Sequence, residues 1–258
     1  MERTYYLYGI ISSQLEEEIL GVDGSNPLFS IEDDPLKAVV SQVETSEFGE
    51  EVLNEKIKDL SWLTEKASLH MEIIKMLHSR AAIIPVKFCT LFTNEDNIVD
   101  MLKTRRMEYL SLLNDINGKD EYGVKIYVDE NTFLPPELEE ARLDIERLIE
   151  GAGKGKAFLL KKNLAGKLDV KKEEVLAIYK DKLWRTLLEV NSTGKMNKNV
   201  HSEISGKKER MVLNSAFLVA KDEGAEFFKK VDSTLRELLV PGLLMEMSGP
   251  WPPYNFCT

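Results

Sequence analysis

Histidine is the side chain that most readily moves protons or binds metal near neutral pH, and this chain has three: His70, His78 and His201. Two imidazoles on one helix face need an i, i+4 spacing, but His70 and His78 stand eight residues apart and no H-E-x-x-H string occurs. His70 falls in an apolar stripe and reads as a core histidine with a satisfied ring; His201 lies in a polar stretch and reads as solvated. Cys89, inside an apolar segment, and Cys257, near the C-terminus, form no C-x-x-C pair and adjoin no histidine base. No G-x-S-x-G elbow is present. The acidic pairs Asp33-Asp34 and Asp222-Glu223 sit where a turn and a helix start would place them. The run Gly151-Ala152-Gly153-Lys154-Gly155-Lys156 lacks the Ser or Thr that follows the lysine of a phosphate loop, and a helix precedes it where that loop needs a strand. One chemistry is left open. Seven lysines (154, 156, 161, 162, 167, 171 and 172) and a single acid, Asp169, lie between Lys154 and Lys172, and a cluster of this kind could hold an anion.

The elements that must position these residues follow from periodicity. Tyr5 to Ile11 is aromatic and β-branched with no helical period, which predicts a strand; Phe29-Ser30-Ile31 and Leu36 to Val43 predict two more around the turn Asp33-Asp34-Pro35. Leu63, Ala67, His70, Ile74 and Leu77 give residues 49–79 a helical stripe. Ala82 to Phe92 predicts a strand whose Pro85 must sit at its start or on an edge. Thr93 or Asn94 can cap a following helix, marked by Ile98, Met101, Leu102, Tyr109, Leu112 and Ile116 and closed by Asn117-Gly118. Beyond it, Tyr122 to Val128 predicts a strand. Leu138 to Leu148 and Leu176 to Val190 predict helices, Met211 to Val219 a strand, Ala225 to Leu238 a helix and Leu243 to Met247 a final strand. If Glu189 to Thr193 also pairs, the order is βαββαβ, a ferredoxin-like antiparallel sheet with helices on one face.

Charge separates two regions. Residues 1–118 carry 11 Lys and Arg against 21 Asp and Glu, whereas residues 119–258 carry 23 of each. The expected organisation is α+β: an acidic domain at 1–118 with a smaller mixed sheet, a ferredoxin-like domain at 119–248, and a tail at 249–258. An acidic first half argues against nucleic acid and anionic membrane as partners. The strand Met211 to Val219 offers one aromatic, Phe217, and no RNA-recognition pattern. Neither an export signal nor 18 consecutive apolar residues is present, and the short apolar start runs into Glu16-Glu17-Glu18, so a reducing, cytoplasmic location is expected. The tail Gly249-Pro250-Trp251-Pro252-Pro253-Tyr254-Asn255-Phe256 is stiff and aromatic, and implies a receiver, either the protein's own core or a partner.

Several strings together resemble the gas vesicle protein F/L family, the L branch most closely. They are Tyr6-Leu7-Tyr8-Gly9-Ile10, Trp62 with Lys66-Ala67 and His70, Ile84 to Phe92, Val124-Lys125-Ile126-Tyr127, Asn214 to Leu218 and the closing Gly249 to Phe256, in the family's order along almost the whole chain. The resemblance implies a non-enzymatic accessory or minor structural protein of gas vesicle formation, with two α+β domains and no cofactor or metal. It further implies a cytoplasmic protein associated with the vesicle, in contact with the hydrophobic major shell protein and other accessory proteins. Trp62, His70, Pro85, Phe88, Gly249, Pro250, Trp251 and Tyr254 are then signature residues with structural or partner-binding roles. The alternative expectation is a ferredoxin-like anion-binding protein or enzyme using the Lys154 to Lys172 cluster. Charge reversal at Lys161 and Lys162 separates the two, because only the second loses a ligand.

Overall fold

The computed structural model describes residues 3–15, 19–200 and 206–257, so His201 and the run Glu16–Glu18 lie outside it. The chain divides into two compact units, Met1–Glu121 with Pro250–Thr258, and Tyr122–Gly249.

In the first unit, β1 (Arg3–Ile11), β2 (Phe29–Asp33), β3 (Leu36–Glu44) and β4 (Ile84–Phe92) form a sheet in the order β2-β3-β1-β4. β1 is apolar without alternation because both of its faces are covered. Tyr6 and Tyr8 join Ile73, Ile74 and Leu77 of α3 (Leu60–Arg80) in one core, while the Tyr5 hydroxyl donates to Glu95 at the start of α4 (Glu95–Thr104). The sheet is antiparallel at every pairing, which corrects the expectation of a smaller mixed sheet. A strand-helix-strand connection suggests parallel neighbours, but the one from β3 to β4 passes over β1, so the two parallel strands never touch.

Two helices expected to be continuous are broken. Residues 49–79 divide into α2 (Glu50–Lys56) and α3, preceded by the single turn α1 (Thr45–Phe48), because the Asp59 carboxylate accepts from the Ser61 and Trp62 N–H groups and starts a new helix. The next stretch divides at Arg105 into α4 and α5 (Arg106–Ile116); Asn94 caps α4 by accepting from the Asn97 N–H, and Gly118, at φ 68°, follows α5 in the left-handed region.

The second unit runs through β5 (Lys119–Val128), α6 (Pro136–Glu150), α7 (Lys154–Val190), β6 (Gly194–Met196), β7 (Arg210–Ala220), α8 (Gly224–Arg236) and β8 (Leu243–Trp251), with strand order β6-β7-β5-β8. Tyr122, Val124, Ile126 and Val128 alternate along β5 and pack against Leu183 and Leu187 of α7 and Phe227, Val231 and Leu235 of α8. The expected strand at Glu189 to Thr193 lies elsewhere: the buried stripe carries α7 through Val190, and pairing begins at Gly194 opposite Phe217. Gly155, inside α7, belongs to no loop. Nor do Gly249 and Pro250 end the last strand, which continues to Trp251. β8 is an edge strand, where a proline can turn its missing N–H away from the ladder. No described helix is long and apolar enough to cross a membrane.

Candidate partner-binding site

The site grows from an irregularity in the first sheet. Leu7 pairs with Thr90 and Gly9 with Pro85, so Val86 to Cys89 bulge opposite the single residue Tyr8. A Cβ at Gly9 would lie 2.6 Å from the Ile84 carbonyl oxygen, a close approach that only glycine allows. Within the bulge Cys89 has φ 61°, unusual for a residue with a side chain, and its N–H donates to the Tyr6 hydroxyl at 2.9 Å.

That hydroxyl also reaches His70 Nδ1 at 3.0 Å, while Nε2 lies 3.3 Å from the Val86 carbonyl. A carbonyl only accepts, so Nε2 carries the hydrogen, Tyr6 donates to Nδ1, and the ring is neutral. Burial lowers the His70 pKa to about 4 and raises the Tyr8 hydroxyl to about 12 and the Cys89 thiol to about 11; it pushes the Tyr6 and Tyr254 hydroxyls up as well. Near neutral pH all of these groups keep one protonation state, which gives them positioning chemistry: donors and acceptors fixed among aromatic rings.

Four signature residues meet here. Phe88, from the bulge, lies edge-on to Trp62 and His70, with centroids 6.3 and 5.7 Å away, and the Tyr254 hydroxyl lies 3.3 Å from His70 Nε2. Pro85 starts the bulge and β4 is an edge strand, satisfying both positions that its missing N–H allows. Trp251 sits under Lys75 of α3, whose ammonium is 4.5 Å from the ring centroid. Gly249 and Pro250 lie in β8.

Sequence reasoning missed Tyr6 and Tyr8 as site residues, although their i, i+2 spacing on a strand puts both on one face. It also missed Glu47, which accepts from the Trp62 indole N–H at 2.8 Å and lies 3.5 Å from the buried Lys66 ammonium, and Glu121, which accepts from the Asn255 N–H and Nδ2 at 2.8 and 2.5 Å. No local pattern marks either one. The tail is thus seated on the first unit, with Pro252 and Pro253 buried.

A groove of about 420 Å³ lies at the second half of β4, lined by Cys89, Leu91, Phe92, Phe48, Leu53 and Glu50. Leu91 and Phe92 are only half-buried. The lysines of α7 are strung along an exposed helix, Lys171 and Lys172 pairing with Glu174 and Glu130. Among the described residues no group of three or more His, Cys, Asp or Glu side chains is placed to hold a metal.

Two antiparallel sheets with packed helices, and a groove at a sheet edge beside a neutral histidine-aromatic cluster, define an α+β protein. The chain belongs to the gas vesicle synthesis protein GvpL/GvpF family, which it matches over residues 4–258. It is 25% identical over 261 residues to gas vesicle protein L of Streptomyces sp. (strain CB03234), covering 99% of this chain and 93% of that protein. It is also 25% identical to gas vesicle protein F of Haloferax mediterranei, covering 99% and 94%. The crystal structure of gas vesicle protein GvpF from Anabaena sp. PCC7120 has the same fold, with a TM-score of 0.67 at 16% identity over 99% of this chain and 98% of that one. That of GvpF from Microcystis aeruginosa gives 0.63 at 14% identity over 99% of each.

Proposed function

We propose that the protein is a non-enzymatic accessory factor of gas vesicle formation, acting in the cytoplasm at the vesicle. It assists nucleation or assembly of the shell by holding the hydrophobic major shell protein, alongside other accessory proteins. The observation that carries this reading is the groove along β4: an edge strand has outward-facing N–H and C=O groups, and half-buried Leu91 and Phe92 lie beside it. A shell protein that must turn an apolar face to gas exposes that face before it assembles. Adding one of its strands to β4, with apolar side chains in the groove, would cover it meanwhile. The neutral His70 cluster behind β4 suits this role, since it holds the bulge with uncharged donors, acceptors and rings. Trp62, His70, Pro85, Phe88 and Tyr254 are read as the scaffold of that edge, and Trp251 as an anchor of the tail. The second unit is read as ferredoxin-like with a doubled first crossover, supported by its fourth-first-third-second strand order.

The test is aggregation of purified shell protein with and without this protein at comparable concentrations. Wild type should delay aggregation, and Leu91→Asp or Leu53→Glu, each checked for folding by circular dichroism, should lose most of the effect. A wild-type protein that neither binds the shell protein nor slows its aggregation would exclude the holding role.

A further inference from the structure

α7 is 37 residues long, about 55 Å, yet its buried residues begin only at Val175. The preceding five turns pack against α6 as a two-helix hairpin with its tip at Gly151 to Gly153. The hairpin half-buries one stripe and exposes another set of apolar side chains: Leu148 at 62%, Phe158 at 68%, Leu159 at 59% and Val170 at 62%. Solvated helices rarely leave so many large apolar residues exposed.

The charges on the two helices are opposite. α6 carries six acids against Arg142 and Arg147, and the first half of α7 carries the seven lysines against Asp169. These sets do not neutralise each other within the hairpin. The α6 acids that form ion pairs do so with the arginines of α6 itself: Glu139 and Glu146 with Arg142, and Asp144 with Arg147. Among the described residues Glu140 and Glu150 have no ion-pair partner, and neither do Lys154, Lys156, Lys161, Lys162 and Lys167.

We propose that this hairpin is a self-association surface, and that two copies of the chain pair through it into a four-helix arrangement. A two-fold pairing sets the acidic α6 of each copy against the basic α7 of the other, so both unpaired charge sets are used twice while the exposed apolar side chains on the pairing face are covered. A second copy fits better than an unrelated partner because a single hairpin carries both halves of the complementarity. The inference is independent of the shell-binding reading, which concerns the first unit.

Sedimentation velocity on the full chain tests it. Wild type should dimerise at low ionic strength and weaken as salt is added. Lys161→Glu with Lys162→Glu, and separately Glu140→Lys with Glu150→Lys, should each weaken dimerisation about tenfold or more, since each removes much of the charge opposition between the two helices. Mixing the two variants should restore a dimer, because each supplies the charge that the other lacks. Phe158→Asp should also dissociate it, with unchanged far-ultraviolet circular dichroism. The proposal is overturned by a wild-type monomer at tens of micromolar, by reversed variants that dimerise like wild type, or by a mixture that stays monomeric. A monomer whose hairpin variants instead lose binding to the shell protein overturns it too.

Discussion

His70 shows how burial, more than residue type, sets what a titratable side chain does. Its imidazole is enclosed by Tyr6, Phe88 and Tyr254, and burial lowers its pKa to about 4 from the ordinary 6.5. Between those values the unfolded chain binds a proton that the folded chain refuses. The stability that this residue contributes is therefore complete above pH 6.5 and is lost as pH falls toward 4, by up to about 3 kcal/mol. His70→Gln should be less stable than wild type at pH 7, because it gives up the ring packing, but should lack that loss. Urea unfolding of both proteins at pH 7 and about 4.5 measures it: the gap between them should narrow toward acid, and a constant gap would contradict a buried neutral ring. The histidine's place in an apolar stripe was legible from spacing alone. Its partners were not, since Tyr6 and Tyr254 lie 64 and 184 residues away in the chain.

At the scale of elements, caps decide where the helices break. Apolar spacing says that residues 49–79 are helical without saying that there are two helices, and one carboxylate makes the difference. The Asp59 carboxylate accepts from the Ser61 and Trp62 N–H groups and so starts the separate helix that carries Trp62, Lys66, His70 and Lys75. Asp59→Ala should cost about 1 kcal/mol, seen as a lower thermal midpoint, whereas Asp59→Asn should be nearly neutral because asparagine caps as well. Equal losses in both variants would mean that charge, and not the cap, matters there. Strand edges follow a similar logic. Pro85 announces a strand start or an edge by lacking an N–H, whereas Pro250, which reads as the end of a strand, lies inside β8 because that strand is itself an edge.

For the whole molecule, the tail is part of the first unit in space although it is last in the chain. It places Tyr254 against His70 and Asn255 against both oxygens of Glu121, and it buries Pro252 and Pro253. Ending the chain at Trp251 preserves β8 and leaves the Glu121 carboxylate without those donors, so the first unit should lose at least about 2 kcal/mol. Hydrogen exchange should then quicken in α3 and β1 while α8 keeps its protection. If the shortened protein melts like the intact one, the tail is a partner-binding segment and not an anchor.

The sequence by itself determined the local structure: the β1 strand, the α3 stripe, a helix cap at Thr93 or Asn94, the Gly118 stop and the start-or-edge place of Pro85, together with strings specific enough to identify the family. Each depends on sterics and hydrogen bonds within a few residues. Only the tertiary structure decided that β1 separates β3 from β4, that Val86 to Cys89 bulge, that Trp62, His70, Phe88 and Tyr254 meet, and that the hairpin leaves its opposite charges unpaired. These are matters of which distant segments pair and what they cover, and long-range pairing is set by the total surface that the fold buries.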